Sequence, residues 1–98
     1  MKFDEIKGYD LLVKAILSVE TEEECEALIS DLMTIKEIDD MAQRLLVAKL
    51  LSEQTVYSKI VEETGASTTT ISRVNRAYVY GEGGYKRFLR IIAEEEKK

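Results

Sequence analysis

Residues 57–77, YSKIVEETGASTTTISRVNRA, carry the pattern that decides the fold: a short run with an apolar face, one glycine, and a second run opening on hydroxyls. Two helices crossing through a tight turn need a residue that tolerates a left-handed backbone, and Gly65 does so without steric cost. Ser67 can cap the following helix by accepting a free backbone N–H. Ile60, Val61, Ala66, Ile71 and Val74 fall where they would hold the two helices together. The residues between them are short and polar, or basic: Ser67, Thr68, Thr69, Ser72, Arg73 and Arg76. A helix that merely faces water is filled more often with Glu, Lys and Ala than with weak helix formers such as Thr and Ser. Three successive threonines are a local cost, and such costs concentrate at functional surfaces.

Small hydroxyls let a backbone approach the DNA major groove, threonine methyls pack on thymine methyls, and arginine bonds guanine or phosphate. The spacing therefore predicts a helix-turn-helix at about 57–77, with Thr68, Thr69, Ser72 and Arg73 directed at base edges. Ser58, Lys59 and Arg76 are assigned to phosphates, since the first helix of such a motif rests on the DNA backbone.

Outward from this motif, the chain reads as helical throughout. It has no proline, its long stretches are rich in Glu, Lys, Leu, Ile and Ala, and strand-like alternation is scarce. Upstream, 3–19 predicts a first helix through Ile6, Leu12, Val13, Ile16 and Leu17, weakened at its start by Gly8. Thr21 with Glu24, and Thr34 with Glu37, have capping-box spacing. They open a second helix near Glu22, ending near Leu32, and a longer third through Leu51. Downstream, a short helix over 56–64 and another over 68–80 flank the turn. YGEGGY at 80–85 breaks the chain, and 85–96 forms the last helix.

At 98 residues, 45 % apolar and 34 % charged, the chain suits a single all-α domain, 1–98, with a packed core rather than disorder. The net charge of −5 looks unfavourable for a nucleic-acid partner, yet its distribution is uneven: residues 1–54 carry −7, 55–90 carry +3 and the tail −1. No apolar run approaches the roughly 18 residues that span a bilayer, and MKFDEIKGYD lacks the basic-then-apolar pattern of a signal peptide, so a cytoplasmic protein without membrane contact is expected. With no histidine and one cysteine, Cys25, neither a metal site nor cysteine-histidine catalysis is expected. Asp39 and Asp40 are adjacent and face different ways on a helix, so no enzyme is expected. Cys25 reads as a buried or half-buried apolar residue, and Tyr78, Tyr80 and Tyr85 as packing or dimer contacts.

The run from Ile38 to Ala77 resembles the tryptophan repressor superfamily, and its smaller YerC/YecD-type branch of Trp-repressor-like proteins in particular. SDLMTIKEIDDMAQRL before the motif and YVYGEGGYKRFL after it extend the similarity to nearly the whole chain. The resemblance implies six helices, a homodimer in which the first three helices and the last of each subunit interlock, and a transcription-regulator role, a repressor. Two-fold symmetry would set the recognition helices roughly 34 Å apart on a roughly palindromic double-stranded DNA site. In the repressor a tryptophan ring lies between two arginines, one on the long central helix and one on the recognition helix. Arg73 matches the second, but Gln43 stands at the first and Val74 stands where the repressor has glycine. Glutamine offers no planar cation for an indole face. No cofactor is expected, and L-tryptophan is not expected to bind. A second class stays open: a protein-interaction module acting through the acidic amino-terminal helices, with a vestigial helix-turn-helix.

Overall fold

The computed structural model describes residues 2–97, and among them are six helices and no strand. They are α1 (Tyr9–Leu17), α2 (Glu22–Leu32), α3 (Ile35–Ser52), α4 (Tyr57–Thr64), α5 (Thr68–Tyr80) and α6 (Gly84–Glu96). The chain packs as two compact units, one ending at Ile38 and the other beginning at Asp39, so the boundary falls within α3.

In the first unit, α1 starts later than the apolar spacing suggests. Gly8 adopts a left-handed backbone, φ 84, and stands immediately before the helix. The residues ahead of it form tight turns instead, with the Ile6 amide donating to the Phe3 carbonyl and the Tyr9 amide to that of Ile6. The second helix follows its cap: the Glu24 amide donates to Thr21 Oγ1 at 3.1 Å. The reciprocal carboxylate bond goes one residue further out, from the Glu20 amide to Glu24 Oε1 at 2.9 Å. Neither α1 nor α2 contains a buried residue. Between them lies an apolar hollow of about 330 Å³ lined by residues including Ile16, Val19, Cys25, Leu28 and Leu32.

Thr34 and Glu37 form the complete box: the Glu37 amide donates to Thr34 Oγ1 at 3.1 Å and the Thr34 amide to Glu37 Oε1 at 2.9 Å. These bonds favour the carboxylate, so the Glu37 carboxyl is held below its ordinary range, the Thr34 backbone bond being the larger cause. At the other end of α3, the Thr55 amide donates to Leu50 and the Gln54 amide to Leu51. This crossed pair is a Schellman ending, and it places Gln54 at φ 62, where glycine is the usual occupant.

The core lies wholly within the second unit. Val47 and Ala48 from α3, Ile60 from α4, Ala66 from the turn, Ile71 and Val74 from α5 and Leu89 from α6 are buried, with Leu50, Leu51, Tyr78 and Tyr85 packed against them. Every apolar residue singled out around Gly65 is therefore in the core except Val61, which is 36 % exposed. Four residues of α4 separate its N-terminal turn from the glycine, and only Ile60 of this short helix points inward. Lys49 bridges the ends of two helices, bonding Glu53 at 3.1 Å and Glu96 at 3.5 Å, and both carboxylates hold its ammonium above its ordinary value, Glu53 most.

Candidate nucleic-acid interface

The turn between α4 and α5 is built as its residue types demand. Gly65 ends α4 at φ 72 and donates its amide to the Val61 carbonyl at 2.9 Å. Nothing lies within 4 Å of where a Cβ would project from it, so glycine is present for its backbone freedom and not to make room. Thr64 closes the turn from the other side: its hydroxyl donates to the Ile60 carbonyl at 2.7 Å and accepts the Ala66 amide at 3.0 Å. Ser67 then caps α5, accepting the Thr70 amide at 3.1 Å.

Along α5, at about 100° per residue, Thr68, Ser72, Arg76, Thr69 and Arg73 fall in that order around an arc of about 140°. All five are exposed, while Ile71 and Val74 on the opposite side are buried. The helix thus presents one polar and basic face, anchored from behind by two branched apolar residues. It has no acidic residue in its first turn. Of the three threonines only Thr68 and Thr69 face outward. Thr70 is half-buried, and its hydroxyl accepts a bond from Ser67 Oγ at 3.1 Å.

Ser58 and Lys59 sit exposed on the first turn of α4. That turn has neither an acidic residue nor a side-chain cap, so its leading amides keep the partial positive charge that attracts phosphate. Lys59 leans toward Glu63 at 3.8 Å, with both side chains largely in water. Such a pair contributes between about 0 and 1 kcal/mol and exchanges readily for a stronger anion.

The five arginines deepen the asymmetry seen in the charge. All lie at or beyond position 44. Among the described residues, the guanidiniums of Arg44, Arg73, Arg76, Arg87 and Arg90 enter no ion pair or hydrogen bond, in a chain with 19 acidic residues. Sequence reasoning overlooked Arg87 and Arg90, which no motif spacing marks. Tyr80 is the outward-facing member of the three tyrosines read as packing or dimer contacts. It is 83 % exposed and continues the outer arc of α5, whereas Tyr78 and Tyr85 are packed as expected.

Gln43 and Arg44 part company on α3. The Gln43 side-chain amide donates to the Thr64 carbonyl at 3.3 Å. Arg44 lines a pocket of about 330 Å³ with Thr70, Arg73, Val74, Ala77 and Tyr85. Two arginines therefore border one pocket, although the residue matching the repressor's first arginine is not among them. Val74 and Tyr85 occupy its wall. Among the described residues no group of His, Cys, Asp and Glu could hold a metal ion, and no helix is long and apolar enough to cross a membrane.

Known proteins match this arrangement along nearly its full length. The chain is 47 % identical over 98 residues to the uncharacterized protein YerC of Bacillus subtilis strain 168, covering 98 % of this chain and 94 % of that one. A TrpR-like protein from Eubacterium eligens has the same fold, with a TM-score of 0.86 and 42 % identity over 94 % of both chains. A Trp-repressor-type protein from Staphylococcus aureus superposes with a TM-score of 0.85 and 40 % identity over 95 % of both. The fold is thus that of a family of regulators rather than enzymes. Matched by the model of the Trp repressor protein over residues 7–92, this chain belongs to the Trp repressor family.

Proposed function

We propose that the chain is a sequence-specific DNA-binding transcription regulator, a repressor, that acts in the cytoplasm as a homodimer. One observation carries the reading: an exposed arc of Thr68, Thr69, Ser72, Arg73 and Arg76, backed by buried Ile71 and Val74 and following a left-handed turn at Gly65. Its side chains are short at the helix start, where the backbone must come close, and cationic one and two turns later, where phosphates flank a groove. Thr68, Thr69, Ser72 and Arg73 contact bases. Arg76, Ser58 and Lys59 contact phosphates.

The homodimer is supported by the first unit. Its helices bury no residue, and Ile6, Leu11, Ile16 and Leu17 are each more than half exposed. Apolar side chains in that number are covered in solution, and a second copy of the same surface is the economical cover. Light scattering at micromolar concentration should give twice the chain mass, and a monomer would remove this part of the proposal. L-tryptophan is not required: Gln43 supplies no cation, and Val74 stands where the ligand would need space.

In vitro selection of DNA from a random pool tests the whole reading. The expected product is a roughly palindromic motif with half-sites about one helical turn apart. A pool that enriches no motif would sink DNA recognition and leave the second reading, partner binding through the acidic amino-terminal helices.

A further inference from the structure

We propose that Gln43 is a positioning residue for the reading head: its side-chain amide, reaching from α3 to the Thr64 carbonyl, holds the turn that sets where α5 begins. The inference rests on the reading of α5 as the DNA-contacting helix.

The last carbonyls of a helix have no partner within it and must find donors elsewhere. In α4 the Val61 carbonyl receives the Gly65 amide, and the Thr64 carbonyl receives Gln43 Nε2 at 3.3 Å across 21 residues of sequence. Both side chains are half-buried. Thr64 is also the residue whose hydroxyl joins Ile60 to Ala66, two buried residues on either side of Gly65. Among the described residues, Thr64 gathers these three bonds besides its helical backbone ones, and the one from outside the α4-turn segment comes from Gln43. Without it, the turn keeps its local bonds but loses its polar tie to α3, which packs Val47 and Ala48 into the same core. The remaining ties are apolar contacts, which are non-directional and tolerate sliding. A hydrogen bond fixes register; this one fixes the turn against the helix that carries Gln43.

The test uses the full chain with Gln43→Met, which keeps length and removes the donor, Gln43→Glu, which sets an acceptor against the carbonyl, and Gln43→Lys, which restores a donor at a helix C-terminus where a cation is favoured. Hydrogen exchange, read without DNA, should show the Ala66 and neighbouring turn amides opening about three- to tenfold faster in the Met and Glu variants. The interior amides of α3 should keep the wild-type rate, and the Lys variant should return toward it. Affinity for the selected DNA, measured where each variant is fully folded, should fall about three- to tenfold for Met and recover for Lys. Unchanged turn exchange in both Met and Glu overturns the proposal, as does Lys failing to recover. Wild-type protein that enriches no DNA defeats the functional reading, while exchange still decides whether Gln43 holds the turn. Wild-type and Met proteins binding DNA equally defeat this inference alone.

Discussion

Two positions in this chain occupy the same left-handed backbone region with opposite residue choices, and exchanging them should move stability in opposite directions. Gly65 has φ 72 and Gln54 has φ 62. For Gly65→Ala, no atom lies within 4 Å of the new Cβ, so no collision contributes. What remains is the intrinsic cost of a left-handed L-residue, roughly 1–2 kcal/mol, partly offset by the lower entropy of the unfolded alanine chain, about 0.4–1 kcal/mol. The net is a loss of about 1 kcal/mol. Gln54→Gly reverses both contributions and should gain about 0.5–1 kcal/mol, because the Schellman bonds at Leu50 and Leu51 are backbone bonds that a glycine retains. Gly65→Asn should lose less than Gly65→Ala, since asparagine visits this region more readily. In a chain of this length about 1 kcal/mol corresponds to roughly 4–8 °C in Tm. Melts followed by circular dichroism at one fixed protein concentration would read this, the fixed concentration removing mass-action effects. Both substitutions shifting Tm the same way, or Gly65→Ala leaving it unchanged, would refute the assignment of glycine to conformation rather than space.

Other consequences concern the core, the interface and pH. Ile60→Ala and Ile71→Ala, each emptying a fully buried site, should cost about 2–5 kcal/mol in denaturant titrations, whereas Val61→Ala, two-thirds covered at most, should cost less than half as much. Affinity for a selected DNA site should drop steeply between about 50 and 200 mM salt, and Arg76→Ala should reduce the slope of log K against log salt by about 1 while weakening all sequences alike. Thr69→Ala or Ser72→Ala should instead relax discrimination between sites, measured by competition. Calorimetry with L-tryptophan should show no micromolar binding. Because the folded Glu37 carboxyl lies below its unfolded value, the stability it contributes is present above the unfolded pKa and is lost as pH falls through the folded one. Carboxyl NMR should find it titrating below the ordinary glutamate range, and Glu37→Gln should remove that part of the acid sensitivity.

The helices were legible where local chemistry marks their ends. Thr21, Thr34 and Ser67 each announce a helix start through a bond spanning three residues, and the helices begin where those bonds place them. The outer arc of α5 was equally legible, since residue types alternate with the helical period around Ile71 and Val74. Where sequence reasoning failed, information beyond the local repeat was needed. Apolar spacing ran the first helix back to Phe3, but the backbone state of Gly8 stops it. Val61 follows Ile60 in the sequence, yet the short α4 meets the core along a narrow stripe, and the 100° step from Ile60 turns Val61 toward its edge. In the sequence Gln43 shows only the lack of a cation; its bond to Thr64 joins positions 21 apart, and no spacing rule reaches that far. Arg44, the next residue, is turned about 100° from Gln43 on α3 and lines the pocket that Arg73 borders.

The two sides of α5 are chemically independent. Ile71 and Val74 fix the helix to its scaffold, while Thr68, Thr69, Ser72, Arg73 and Arg76 are exposed and stand outside the buried core. Exchanges among the outer five should each alter stability by no more than about 0.5 kcal/mol. Duplicated copies of such a chain can therefore diverge at the outer positions, one residue at a time, without passing through an unfolded intermediate sequence. A scaffold of this kind keeps its architecture while its vocabulary drifts.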